Sequence, residues 1–323
     1  MRASVIVPAR DAVATLTECL QALHNQTIPP DEIIVVDDGS QDATAQMARD
    51  AGASVIALPV SGGAAAARNV GAAAASGDIL LFTDADCAPV SGWAEALLAA
   101  FDDPATAGAK GTYCSRQPSL TARFVQLEYE ARYDRTAHFE TIDFIDTYSA
   151  AYRRDVFEAL GGFDPSIIMV EDQEFSFRVA ALGYRMVFVP EATVYHYHAD
   201  DLIAYACKKA RIAYWKMIIL RRHPRAALRD SHTPQTLKVQ IALIGLGLAT
   251  GALGLITDRT LRRKFWALAG ASAALFGFSA IPFMRKAARR DPELAAFALP
   301  MLIWRALWLG LGMVAGMIRY IIG

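Results

Sequence analysis

Cysteine is scarce and unpatterned. Cys19, Cys87, Cys114 and Cys207 are the only four in 323 residues, and no two stand at a metal-like or paired spacing. That excludes a short disulfide-stapled scaffold and leads us to expect reduced thiols in a cytoplasmic compartment. A charge excess is also missing. Lys and Arg total 32 against 33 Asp and Glu, so the overall balance gives no reason to expect nucleic acid as a partner. No signal peptide is expected either, because Met1-Arg2-Ala3 leads straight into a strand-like run. Charge is thin overall: 20% of residues are charged against 54% hydrophobic, an apolar surplus that an ordinary soluble domain does not carry. It sits in the last third of the chain.

From residue 1 to about 115, short β-branched runs alternate with Ala/Leu-rich helical stretches. The runs are Ala3 to Val7, Glu32 to Val36, Ser54 to Leu58 and Asp78 to Phe82. Each is apolar throughout, the pattern of strands buried on both faces of a parallel sheet with helices between them. Ligands bind such sheets beyond the carboxyl ends of the strands. The residues there are Pro8 to Asp11, Asp37-Asp38-Gly39-Ser40 and Asp84-Ala85-Asp86. Five carboxylates from three strands thus gather on one edge, where mutual repulsion favours a cation or a hydrogen-bonding ligand.

From about 116 to 200 the period is mixed. Helices are expected near Leu120 to Tyr133, Arg154 to Leu160 and Glu171 to Leu182, with a strand at Phe144 to Tyr148 that helps complete the sheet. Asp200-Asp201 then offers an N-cap to Leu202 to Arg222. Ile203, Ala206, Ala213, Met217 and Leu220 fall roughly on one face of that segment, and Lys208, Lys209, Arg211 and Lys216 fall elsewhere. This suits an interfacial helix on an anionic membrane; a basic surface helix of a soluble domain is the alternative.

Beyond Lys238, Val239 to Thr257 and Phe265 to Met284 carry no charge, and Leu294 to Ile318 carry only Arg305. A span needs about 20 apolar residues, so two to three transmembrane helices are expected over 237–323. The basic stretch ahead of them, Lys208 to Arg229, places the preceding domain in the cytoplasm. The two linkers do not alternate: Arg259, Arg262, Arg263 and Lys264 match Arg285, Lys286, Arg289 and Arg290 in number. Arg305 is costly in lipid unless it meets a partner, a phosphate or water.

Asp84 and Asp86 follow a strand, and in an extended chain residues i and i+2 point the same way. Two carboxylates so placed suit a hard divalent cation, Mn²⁺ or Mg²⁺, that also holds a diphosphate. A bare D-x-D also occurs in turns, where Asp bonds the local backbone. Its context here is an ordered series: Val5-Ile6-Val7-Pro8, Val35-Val36-Asp37-Asp38-Gly39-Ser40, Ala67-Arg68-Asn69-Val70-Gly71 and Gly77 to Asp86. Further on come Gly161-Gly162-Phe163-Asp164, Glu171-Asp172, Gly183-Tyr184 and Pro190 to His196. Over residues 3 to 200 this series resembles the family 2 glycosyltransferases.

The resemblance implies an α/β fold of the GT-A kind, a mixed sheet flanked by helices, here over 1–200. An amphipathic segment at 201–236 and the spans would follow. It implies an inverting, metal-dependent transfer of sugar from a nucleotide-diphospho-sugar to a lipid or lipid-linked acceptor at the cytoplasmic face of the cell membrane. Such work belongs to envelope polysaccharide or glycolipid synthesis. Asp37 and Asp38 would lie by the base and ribose, with Pro8 and Asp11 beside them, and Arg68 would hold the nucleotide. Asp84 and Asp86 would hold metal and diphosphate, and His196 would complete the metal shell. Glu171-Asp172 would supply the general base, Asp172 being the better candidate. By strand alternation His198 would point the same way as His196. Plainer roles stand beside these: a loop cap for Asp37 and Asp38, and a favourable interaction of Glu171-Asp172 with a helix dipole.

Two departures qualify the resemblance. Asp11 and Ala12 stand where the family often has Asn and Glu, and no Gln-x-x-Arg-Trp motif follows Glu171-Asp172, so single transfer is favoured over polymerisation. A nucleotidyltransferase would want a Gly-rich basic loop after the first strand, which Pro8-Ala9-Arg10-Asp11 is not. A non-catalytic GT-A membrane scaffold would not need Asp84, Asp86 and Asp172 together. Transfer to a polyprenyl phosphate is the remaining alternative within the family.

Overall fold

The computed structural model describes residues 1–224 and 230–322, so Arg225 and Arg229 of the basic segment lie outside the described residues. The chain divides into two compact units. One comprises Met1–Arg116, Tyr133–Tyr197 and Asp230–His232; the other comprises Gln117–Arg132, His198–Arg229 and Thr233–Gly323.

The first unit is built on eight strands: β1 Ala3–Ala9, β2 Glu32–Asp37, β3 Ser54–Ala57, β4 Ile79–Phe82, β5 Cys87–Pro89, β6 Thr106–Cys114, β7 Ala150–Arg153 and β8 Arg185–His196. They form one sheet in the order β3-β2-β1-β4-β7-β6-β8-β5. The four apolar runs make its parallel half, β3-β2-β1-β4, as their composition demands. Antiparallel pairing of β7 to β4 turns the sheet mixed. The helices of this part are α1 Leu16–His24, α2 Thr44–Asp50, α3 Ala64–Ala74 and α4 Trp93–Ala99. Helix α5, Leu120–Thr136, is followed by α6 Arg154–Ala159 and α7 Glu171–Ala181.

Two packing features fix the loops beyond the strands. Helix α3 approaches the sheet through Gly71, where a Cβ would stand 2.6 Å from Ile6 Cγ2. An aromatic cluster joins Phe82, Tyr152, Phe157, Phe163 and Phe175, with ring centroids 5.0 Å apart for Phe157 and Phe175 and 5.5 Å for Phe82 and Phe163. Truncating one such buried ring costs about 3–5 kcal/mol. The cluster clamps the residue ahead of Thr83-Asp84 to α7 through Phe175.

Phe144 to Tyr148 is not a strand. Residues Thr147–Ser149 form a 3-10 turn and β7 begins at Ala150. The Asp146 carboxylate accepts from the Tyr148 hydroxyl two residues on and pairs with Lys110 of β6, bonds that a ladder position would not allow it.

The second unit contains most of α5, α8 Leu202–Arg222, α9 Gln235–Ile256, α10 Arg259–Arg290 and α11 Pro292–Ile322. Among the described residues, α9, α10 and Pro292–Arg319 are three helices long and apolar enough to cross a membrane. Asp201 caps α8 as its sequence suggests, accepting from the N–H groups of Ile203 and Ala204 at 2.8 Å. The expected polar set of α8 needs one correction: Lys209 is buried against Glu128 at 3.0 Å. Helix α8 also packs closely on α11: a Cβ on Gly312 would lie 2.1 Å from the Ala210 carbonyl oxygen, and one on Gly316 2.7 Å from that of Tyr214. Small residues four apart allow such backbone approach. Phe124, Val125 and Leu127 of α5 pack with Tyr205, Phe276 and Leu302, which is why Gln117–Arg132 groups with this unit.

Candidate active site

The loops beyond β1 and β2 are tied together by their own polar groups. Pro8 lies in register with Val36, one residue before the β1 end. Asp11 adopts φ 47, a left-handed conformation that Asp tolerates better than most residues. Its carboxylate accepts from the Gln41 N–H at 2.7 Å, and its own N–H donates to Ser40 Oγ at 2.9 Å. Asp37 is buried and accepts from the N–H and hydroxyl of Ser40. Asp38, also buried, accepts from the Ser61 hydroxyl at 2.7 Å and the N–H groups of Gly62 and Gly63 at 2.7 and 3.0 Å. Both carboxylates therefore shape loops, whatever else they contact.

Arg68 is the hub. Buried on α3, it donates to Asp84 at 2.6 Å and to Glu171 at 2.7 Å. Burial works against its charge, but Asp84 and Glu171 outweigh that and hold the guanidinium more firmly protonated than usual. Its neighbour Asn69 exchanges two bonds with the Phe163 backbone, 2.7 Å to the carbonyl and 2.9 Å from the N–H. Gly162 sits at φ 67 beneath this contact, and a Cβ there would stand 2.5 Å from Asn69 Oδ1. The Gly161-Gly162-Phe163 and Arg68-Asn69 motifs thus belong to one joint.

Beyond β4 the chain does not stay extended. The Cys87 N–H bonds the Asp84 carbonyl at 3.0 Å, closing a turn, so the alternation argument for Asp84 and Asp86 does not hold. Asp84 turns to Arg68 and Asp86 toward His196, whose Nδ1 is 3.5 Å from its carboxylate. Tyr148 stacks on the His196 ring with centroids 5.9 Å apart, and Tyr113 meets it edge-on at 5.4 Å. Carboxylate oxygen and fixed imidazole form a donor set that fits Mn²⁺. His198 falls beyond β8, which ends at His196. It is buried, stacks on Tyr129 and meets Gln126 Oε1 at 3.2 Å, so strand alternation does not extend to it.

Glu171 and Asp172 open α7 immediately after Val170, a β-branched residue at φ 62 and ψ 25. Such backbone strain, about 1–3 kcal/mol, gathers at functional sites. Glu171 is taken up by Arg68, while the Asp172 carboxylate accepts a local 2.7 Å bond from the Gln173 N–H. Burial, then Glu171 and Asp146, push the Asp172 carboxyl well above the usual range. A carboxyl raised in this way holds its proton more firmly than an exposed one.

Sequence comparison identifies the family. The family described as Glycosyl transferase family 2 matches residues 4–161, and Glycosyl transferase family group 2 matches residues 111–316, more than half of the chain. The chain belongs to the family 2 glycosyltransferases. Similar curated proteins include the pre-mycofactocin glycosyltransferase of Mycobacterium tuberculosis, 28% identical over 68% of this chain and 48% of its own length. Another is the O-antigen chain rhamnosyltransferase RfbN of Salmonella typhimurium, 29% identical over 61% of this chain and 67% of its own. The chain thus spans about half the length of the first relative and about two thirds of the second. The mannosyltransferase PcManGT from Pyrobaculum calidifontis, solved with GDP-Man and Mn²⁺, superposes with a TM-score of 0.59 over 98% of this chain and 87% of that one, at 21% identity. That likeness carries the fold, a GT-A sheet followed by apolar helices.

Sequence reasoning passed over three residues that the glycosyltransferase fold brings to this place: Cys87, Tyr113 and Tyr148. Cys87 adjoins the D-x-D, which was a usable signal. The tyrosines come from β6 and the 147–149 turn, and nothing in their local pattern links them to His196.

Proposed function

We propose that the protein transfers a sugar from a nucleotide-diphospho-sugar to a lipid or lipid-linked acceptor, with inversion at the anomeric carbon, at the cytoplasmic face of a membrane. The observation that carries this reading is Arg68, which ties Asp84 at the donor end to Glu171 beside Asp172. One buried side chain thereby couples the place where charge leaves to the place where a proton is taken up. Residues 1–200 would be the catalytic domain, 201–236 an interfacial segment and 237–323 the membrane anchor.

In this reading the loops of Pro8, Asp11, Asp37 and Asp38 receive the base and ribose, and Arg68 steadies the nucleotide from below through Asp84. Asp86 and His196, with Asp84, hold Mn²⁺ or Mg²⁺, which when bound would offset the charge of the departing diphosphate. Asp172 accepts the proton of the acceptor hydroxyl as its oxygen attacks the anomeric carbon from the face opposite the leaving group. Inversion needs no protein nucleophile. Glu171 acts through Arg68 rather than on substrate. Lys208, Arg211, Arg221 and Arg222 of α8 are exposed, a cationic set that suits an anionic leaflet. The names of the relatives, a rhamnosyltransferase and a mannosyltransferase seen with GDP-Man and Mn²⁺, support the same chemistry.

The test is a panel of nucleotide sugars offered to the full chain in lipid nanodiscs with Mn²⁺ or Mg²⁺, reading nucleoside diphosphate release. Release from one donor, dependent on added lipid acceptor, is expected. Absence of release from every donor would overturn the reading. A polyprenyl phosphate acceptor is already ionised, so turnover that survives Asp172→Asn would move the assignment to that class.

A further inference from the structure

Among the described residues, one group of His, Cys, Asp and Glu side chains brings three ligand atoms within 4.8 Å of one another: Asp86, Cys87 and His196. The backbone creates it. Cys87 opens β5 directly opposite His196, the last residue of β8, in an antiparallel pair. Side chains so opposed leave the same face of the sheet with Cβ atoms about 4.5–5.5 Å apart. Register alone therefore aims the thiol and the imidazole into one space, and Asp86 reaches it from the preceding turn. Cys87 Sγ is 3.7 Å from Asp86 Oδ1, and His196 Nδ1 is 3.5 Å from Asp86 Oδ2. Two ligands sharing a tetrahedral ion, at bond lengths of ~2.0–2.3 Å, stand about 3.3–3.8 Å apart. Two of the three separations fall in that range, one to each carboxylate oxygen of Asp86, and the three ligand atoms all lie within 4.8 Å of one another. The imidazole is held by Tyr148 and Tyr113, so the cluster is preorganised.

We propose that Cys87 is a metal ligand and that Asp86, Cys87 and His196 form a mixed oxygen, sulfur and nitrogen site for a thiophilic divalent ion of the zinc class. The inference rests on the reading of Asp86 and His196 as metal ligands and adds the sulfur. On binding, the thiol releases one proton to solvent and its sulfur lone pair forms the bond to the ion. A thiolate favours Zn²⁺ and Co²⁺ over Mg²⁺, and for a given donor set both stand above Mn²⁺ in affinity. Zn²⁺ should accordingly displace Mn²⁺ from this site. A buried thiol that only packs and donates to Asp86 would show none of this.

Co²⁺ titration of the metal-free full chain tests the proposal by absorption. Visible ligand-field bands report that the ion is held, and a near-ultraviolet charge-transfer band reports a bond to sulfur. The wild type is expected to show both, saturating together and abolished by Zn²⁺. Cys87→Ser should keep the visible bands, lose the charge-transfer band and weaken Co²⁺ binding at least about tenfold. Cys87→Ala serves if the serine variant does not fold, and Cys114→Ser, which should change nothing, is the control. Visible bands without charge transfer in the wild type would overturn the sulfur ligand and leave Asp86 and His196 standing. No saturable Co²⁺ binding, with no change in His196→Ala, would overturn both.

Discussion

Arg305 donates to the carboxylate of Glu128 at 2.8 Å, across 177 residues of chain, and both side chains are buried. The arginine that looks stranded in an apolar run thus finds its counter-charge on α5. Lys209 Nζ and the Tyr205 hydroxyl complete Glu128 at 3.0 Å each, and Arg305 Nη2 reaches Gln240 at 2.7 Å.

Glu128→Ala should destabilise the second unit by about 3–5 kcal/mol, because it leaves two buried cations facing each other. Thermal unfolding in detergent measures this. Burial works to raise the Glu128 carboxyl, but Lys209 and Arg305 outweigh it and lower it from 4.5 to about 2. A carboxyl held low contributes its full stability above its unfolded value. That contribution should be retained at pH 5 and lost as pH falls through about 2, and the variant should lack this acid sensitivity.

Asp172→Asn should bind donor as the wild type does and transfer ~100-fold to 10,000-fold more slowly. The wild-type rate should rise with pH with a midpoint above the ordinary carboxylate range, since the ionised base is the active form. The same raised carboxyl binds its proton more tightly folded than unfolded, so its ionisation at neutral pH opposes folding. The asparagine variant is therefore expected to melt higher at pH 7. An unchanged melting temperature together with full turnover would count against the role given to Asp172.

Arg68→Lys should weaken donor binding by at least about tenfold, ~1.4 kcal/mol, and lower the melting temperature. An ammonium cannot donate to Asp84 and Glu171 with the planar fork they now share. Calorimetric titration with donor and a thermal melt read the two effects.

Chelation with EDTA should abolish transfer, and added Mn²⁺ should restore it in the wild type but not in Asp86→Ala. Circular dichroism should find that variant folded, since Asp86 is partly exposed.

Gly312→Ala should cost about 1–3 kcal/mol, because the new methyl meets the Ala210 carbonyl of α8. Gly251→Ala on α9 has nothing within 4 Å and should be neutral or slightly stabilising. Comparing the two melts separates helix contact from helix propensity.

Much of this was legible from the sequence because it is local. The four apolar runs announce the parallel strands, and Asp201 announces its helix. Apolar length announces the spans. What stayed hidden depends on where the chain returns. The turn at Asp84 to Cys87 sends two neighbouring carboxylates to different partners, and period-2 reasoning has no means of seeing it. The meeting of Cys87 with His196 is a register between strands 109 residues apart, arithmetically 196 less 87. The sequence groups Lys209 with the polar residues of α8, since Glu128, which draws it inward, lies on a distant helix. Phe144 to Tyr148 looked like a strand because its composition is right, and Asp146 overrides that composition with bonds to Tyr148 and Lys110.

The span between Glu128 and Arg305 has a meaning in time as well as in space. At ~5–20 residues per second, a ribosome delivers Arg305 about 9–35 s after Glu128. Lys209 reaches Glu128 part-way through that interval, and the pair then waits without Arg305 or the close contact that Gly312 makes with α8. Maturation of this unit is therefore gated by the arrival of α11. A nascent chain stalled before it would carry a half-neutralised charge on an unfinished helical surface, the kind of state that cellular quality control recognises.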